Sequence, residues 1–142
     1  MTDTACPLCT DDGGVLVFRN AQLRVIQADE PGFPAFYRVI WNRHVPEFSD
    51  LTADERAVCM DAVAGVEQVL RAELRPCKIN LAALGNMVPH LHWHVVARFD
   101  WDSHYPAPIW SAATRPLDDV QLANVRAYTP ALHRYIQQKF VR

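Results

Sequence analysis

Pro89-His90-Leu91-His92-Trp93-His94-Val95-Val96-Ala97-Arg98 sets three histidines at steps of two, with apolar residues between them. Alternation of this kind predicts a half-buried β-strand, in which residues i, i+2 and i+4 share a face. His90, His92 and His94 are expected on one face at spacings of about 6.5–7 Å. Arg98 falls on the same side, while Leu91, Trp93, Val95 and Ala97 turn to a core. Two chemistries suit such a row. Imidazoles can ligate zinc, or one can act as nucleophile while its neighbours donate hydrogen bonds.

Upstream, 77–84 reads as another strand, and Gly85-Asn86-Met87 as the turn into the histidine strand. Thr52-Ala53-Asp54-Glu55 is a capping box. It opens a helix expected over about 53–74, with Val58, Ala62, Val66, Val69 and Leu70 at helical spacing and Pro76 beyond its end. Nearer the N-terminus, Val15–Arg19 and Leu23–Gln27 form a predicted hairpin, and Phe36–Trp41 a third strand followed by His44. Downstream come a loop over 100–108, a short helix over 118–127, and a last helix capped by Thr129-Pro130 and marked by Leu132, Tyr135, Ile136 and Phe140. Three strands, a long helix, two strands and then helices, with short connections, predict an α+β fold. Its five-stranded antiparallel sheet would carry helices on one face.

The 142 residues suit one domain, large enough to bury a core without disulfides. Half are apolar and 21% charged, the balance of a soluble globular chain. A net charge of −2 offers no electrostatic basis for wrapping a nucleic-acid polymer. A small nucleotide would need only a local basic pocket. There is no apolar run of about 18 residues to span a membrane, and Met1-Thr2-Asp3-Thr4 lacks the pattern of a secretory signal. The expected location is the cytoplasm, where structural disulfides are rare. Cys6-Pro7-Leu8-Cys9 is then half a zinc site or a redox pair. The turn-rich residues after it favour metal over a redox helix. Cys59 and Cys77 are expected as buried small hydrophobes.

His-Leu-His-Trp-His-Val-Val resembles the signature of the histidine triad (HIT) family of nucleotide hydrolases and transferases, and the similarity runs from Cys6 to about Arg98. The resemblance implies one HIT-like domain over 1–142, with a core of about 6–98 and a C-terminal loop and helical extension over 99–142. It implies a homodimer with a continuous sheet. It also implies a structural zinc on Cys6, Cys9, His44 and His90, since two thiolates and two imidazoles close a tetrahedral site. No organic cofactor is expected. His92 becomes the nucleophile, attacking the α-phosphorus of a purine nucleotide to give a nucleotidyl-histidine that water displaces. Its other ring nitrogen then needs a partner such as a backbone carbonyl. His94 would face the same phosphate, Asn80 and Asn86 would offer it neutral donors, and Asp29 would accept from the ribose hydroxyls.

The chain departs from the family pattern in three places. Asn86-Met87 replaces glutamine and a hydroxyl residue, Phe36 replaces a histidine, and Ala97 a proline. These changes bear on substrate preference and leave His92 untouched. The pattern looks more like bacterial members labelled diadenosine tetraphosphate hydrolases than like animal phosphoramidate hydrolases. Two other readings compete with a hydrolase: a non-catalytic nucleotide-binding regulatory HIT protein, and a metalloenzyme with the triad as ligands. Trp110, in a proline-braced loop, could face the site, a partner subunit or the core.

Overall fold

The histidine strand β5 (His92–Arg98) runs between β3 (Phe36–Trp41) and β4 (Lys78–Ala82) in the computed structural model, which describes residues 2–141. With β1 (Val15–Arg19) and β2 (Leu23–Gln27) they form a five-stranded sheet in the order β1-β2-β3-β5-β4, every neighbouring pair antiparallel. Register assigns the faces. Tyr37 and Val39 sit opposite Val95 and Trp93, and Leu81 and Ile79 opposite Val95 and Ala97. All of these join or pack on the main core except Leu81, which is exposed on the edge strand. On the reverse face, Phe36, Arg38 and Ile40 lie opposite Val96, His94 and His92.

Helix α2 (Ala53–Leu74) covers the core face. Thr52 Oγ1 accepts from the Glu55 N–H at 3.2 Å, and Glu55 Oε1 accepts from the Thr52 N–H at 2.9 Å, which closes the expected capping box. The buried stripe is Cys59, Ala62, Val63, Val66, Val69 and Leu70. Val58, expected on that stripe, is exposed, because at about 100° per residue it falls just outside the arc that Cys59, Ala62, Val63, Val66, Val69 and Leu70 occupy. The helix ends at Arg75, in the left-handed region at φ 49°, just before Pro76. Helices α3 (Asp119–Ala127) and α4 (Thr129–Phe140) complete this layer through Leu122, Val125, Leu132 and Ile136.

Four further expectations are corrected. Strand β4 is shorter than 77–84. Tyr128, not Thr129, is the N-cap of α4, because α3 leads into α4 through one helical residue and leaves Thr129 inside the first turn. Cys77 is exposed, since it precedes an edge strand with no neighbour to cover it, whereas Cys59 is buried as expected. The histidine strand begins only at His92. Leu91 donates to the Val45 carbonyl at 2.8 Å and accepts from the Trp41 N–H at 3.1 Å, so the chain is still turning there. Among the described residues no helix is long and apolar enough to cross a membrane.

Candidate active site and metal centre

The Cys-x-x-Cys forms α1 (Pro7–Thr10) and the residue before it. Arg24, buried on β2, holds this segment against the sheet. Its guanidinium donates to the carbonyls of Leu8 at 2.6 Å, Asp12 at 2.9 Å and Asp11 at 3.0 Å. Cys6 and Cys9 thereby meet His44, beyond β3, and His90, before β5. The four ligand atoms all lie within 4.8 Å of one another.

The donor set fits a metal. Cys6 Sγ is 3.4 Å from His90 Nδ1, and Cys9 Sγ is 3.4 and 3.5 Å from the Nδ1 atoms of His44 and His90. The two Nδ1 atoms are 3.3 Å apart. A zinc tetrahedron with bonds of about 2.3 Å to sulfur and about 2.0–2.1 Å to nitrogen has edges of about 3.3–3.8 Å. His90 Nε2 lies 2.6 Å from the Trp41 carbonyl, which can only accept, so Nε2 carries the ring proton and Nδ1 turns its lone pair to the cluster. The Asp3 N–H donates to Cys9 Sγ at 3.3 Å. This is the Cys2His2 arrangement of a structural zinc site, closed to further ligands.

His90 therefore does not line a common face with the other two histidines. It is fully buried and turned to the cluster. His92 and His94 face a cleft of about 710 Å³, with Arg38, Asn86 and Trp110 also in its wall and Leu8, Leu84, Met87 and Val88 supplying apolar surface. His92 Nδ1 is 2.6 Å from the His90 carbonyl, the partner that sequence could not name. A carbonyl requires a proton on Nδ1, so the lone pair of His92 is on Nε2. At His94 the assignment reverses. Arg38 Nε donates to His94 Nδ1 at 3.2 Å, so a neutral His94 carries its proton on Nε2. The two rings stand 5.0 Å apart and nearly perpendicular. Burial lowers the pKa of both. His94 falls to about 4, first by burial and then through His92 and the Arg38 charge.

Trp110 reaches this cleft because its loop is tied down. Arg98, buried at the end of β5, donates to both carboxylate oxygens of Asp102 at 2.9 and 3.1 Å, to Asn80 Oδ1 at 2.8 Å and to the Ala107 carbonyl at 2.7 Å. The loop returns over the sheet, packs Ile109 with Phe33, Phe36 and Val96, and sets the Trp110 ring edge-on to His94 at 5.3 Å. Burial raises the Asp102 carboxyl, but the bonds from Arg98 and from the His104 and Phe99 amides outweigh it and hold the pKa below its ordinary value.

The structure thus gathers Cys6, Cys9, His44 and His90 at one centre, and His92, His94 and Asn86 at the cleft. Asn80 is not in the cleft wall, and its side-chain oxygen is taken by Arg98. Asp29 is exposed after β2, also outside the wall. Sequence reasoning passed over Arg24, Arg38 and Asp102. The available signal was a pair of arginines on the polar side of otherwise apolar strands.

The family model described as HIT domain matches residues 12–101. A protein named AP-4-A phosphorylase, from two strains of Mycobacterium tuberculosis, is 30% identical over 108 residues, covering 72% of this chain and 55% of its own length. The chain thus spans about half the length of the curated relatives it matches. A histidine triad protein from Bradyrhizobium japonicum superposes with a TM-score of 0.73 at 27% identity, over 88% of this chain and 92% of that one. A Zn-bound histidine triad family protein from Mycobacterium smegmatis shares the fold, with a TM-score of 0.62 at 19% identity over 92% and 96% of the two chains.

Two outcomes are expected. The purified protein should carry about one zinc per chain, and chelation or Cys9→Ser should lower its melting temperature. Elemental analysis paired with thermal melting checks this, and an unchanged melt after complete metal removal would count against a structural role. Asp102→Asn should destabilise the protein at pH 7 by about 3–5 kcal/mol, since it leaves the buried Arg98 unpaired. The folded pKa of Asp102 is depressed, so its contribution is full above about pH 4 and is lost as pH falls through the folded value. Urea unfolding of both proteins from pH 7 to pH 3 should find the gap narrowing, and a constant gap would refute the assignment.

Proposed function

The chain belongs to the HIT domain family, and on that premise we propose that it is a nucleotide hydrolase or transferase. It would cleave at the α-phosphate of a dinucleoside polyphosphate or nucleoside phosphoramidate through a nucleotidyl-histidine. The observation that carries this reading is the pair of complementary imidazoles at one cleft. His92 presents a lone pair on Nε2, and His94 a proton on Nε2.

In the proposed reaction His92 Nε2 forms a bond to the α-phosphorus, and the bond to the leaving group breaks with its electron pair. The positive charge on the new phosphoryl-imidazole is eased by the Nδ1–H bond to the His90 carbonyl at 2.6 Å. Water then attacks phosphorus, the pair of the P–N bond returns to Nε2, and the surplus proton leaves to solvent. His94 and Asn86 would donate to nonbridging oxygens as negative charge builds there. Leu8, Val88 and Trp110 offer the base an apolar bed. Asp29 stands in this reading as the ribose ligand the resemblance assigns, and Asn80 as a phosphate donor held through Arg98. The zinc is structural and enters no step. The curated relatives' name, AP-4-A phosphorylase, supports a diadenosine polyphosphate as the first substrate to try.

A homodimer is part of the proposal. Strand β4 is an open sheet edge, and Leu81 on it is 42% exposed, which favours pairing with a second copy.

The central test incubates wild type and His92→Ala with diadenosine tetraphosphate, adenosine phosphoramidate and aminoacyl adenylates. Turnover should fall by at least about 10³-fold in the variant, and a nucleotidyl adduct in the intact mass should be confined to wild type. Tight binding without turnover on the whole panel would support a non-catalytic nucleotide-binding regulator instead. Sedimentation velocity should give twice the chain mass, and Leu81→Lys should shift it toward the monomer. A wild-type monomer at high concentration would refute the dimer.

A further inference from the structure

Among the described residues that line the cleft, Arg38 is the cation. It lies at the centre of β3, opposite His94 on β5, on the face turned from the core. A charged residue at the middle of a sheet is costly to bury unless its donors are used. Arg24 on β2 and Arg98 on β5 spend theirs on protein carbonyls and carboxylates. Arg38 differs. Its Nε donates to His94 Nδ1 at 3.2 Å, and its guanidinium rests over the Phe36 ring at 4.9 Å. Its two terminal nitrogens donate to no protein acceptor among the described residues, and the residue lines the cleft beside His92 and His94.

Those two observations act on the same reaction. The terminal N–H groups form a planar fork suited to two oxygens of a phosphate. Meanwhile the Nε bond occupies His94 Nδ1 and leaves a neutral ring whose Nε2–H can donate a hydrogen bond but cannot release a proton, since that would leave an imidazolate. Leaving groups respond differently to such a site. A phosphate or polyphosphate departs as an anion, needs no proton and gains from a facing guanidinium. An amine cannot depart from phosphorus until its nitrogen is protonated, and neither Arg38 nor a neutral His94 supplies that proton.

We propose that Arg38 is the specificity-determining residue of this cleft, binding the leaving phosphate of a phosphoanhydride and, through Nε, fixing His94 as a donor only, so that anhydrides are cleaved in preference to phosphoramidates. This rests on the nucleotidyl-histidine reading above. In the step it describes, the His92 Nε2–P bond forms and the P–O bond to the leaving phosphate breaks. The electron pair stays on the departing oxygen, whose charge is met by the guanidinium, and no proton is transferred.

The test compares diadenosine tetraphosphate with adenosine phosphoramidate for wild type, Arg38→Leu and Arg38→Lys, using full-length zinc-loaded protein. Arg38→Leu should lose about 100-fold in kcat/KM on the tetraphosphate, much of it in kcat, and less than about threefold on the phosphoramidate. Arg38→Lys keeps the charge, and should recover part of the tetraphosphate loss. It also guards against a Leu variant that fails to fold. A wild-type preference for the phosphoramidate, or an equal loss on both substrates in either variant, would overturn the role of Arg38 while leaving the covalent mechanism standing. Absence of turnover and of adduct in wild type on both substrates would overturn the mechanism, and the role of Arg38 with it.

Discussion

The two-residue period of β5 is the constraint on which the molecule depends. Its odd-numbered side chains, Trp93, Val95 and Ala97, are committed to the layer under α2. Its even-numbered ones, His92, His94, Val96 and Arg98, must then occupy the opposite face. A slip of one residue would bury imidazoles under the helix and expose tryptophan and valine. The register against β3 and β4 is correspondingly firm, because both neighbours place apolar residues on the same side at the same positions. The imidazoles of His92 and His94 are therefore aligned by the hydrophobic core on the far side of the sheet.

The reverse face is organised by three guanidiniums. Arg24 gathers carbonyls at the end of α1 and so positions two cysteines. Arg98 gathers Asp102, Asn80 and Ala107 and so positions the loop that carries Trp110. Arg38 keeps its fork turned to the cleft. Lysine would serve poorly at the first two positions, because a single ammonium cannot hold several fixed acceptors in one plane. A buried arginine whose acceptors are all protein groups braces the fold. One that leaves donors facing a cavity is available to a ligand.

His90 joins the metal-binding cluster to His92 through three of its own atoms. Nδ1 faces the cysteines, Nε2 donates to the Trp41 carbonyl, and the backbone oxygen receives the proton of His92 Nδ1. The Cys2His2 cluster thus fixes the carbonyl that sets the tautomer of His92. A closed Cys2His2 site and an imidazole with a free Nε2 lone pair can in this way occupy neighbouring positions in one motif.

Much of this was legible in the chain. Local patterns carried the strands and α2, because alternation, helical spacing and a capping box are properties of adjacent residues. The four cluster ligands could be proposed from a Cys-x-x-Cys, a lone His44 and the family resemblance of the triad. The resemblance assigned His90 to the cluster, but its turn away from the face of the other two histidines was not legible in the two-residue period, because the strand starts at His92 only through hydrogen bonds that Leu91 makes to Val45 and Trp41. Nor was the exposure of Cys77, which follows from β4 being an edge. Periodicity by itself determined which residues face the core and which face away. Only the tertiary structure decided what the outward residues do, because the tautomers of His92 and His94, the placing of Trp110 and the open fork of Arg38 each depend on partners distant in the chain or on carbonyls the sequence does not point to.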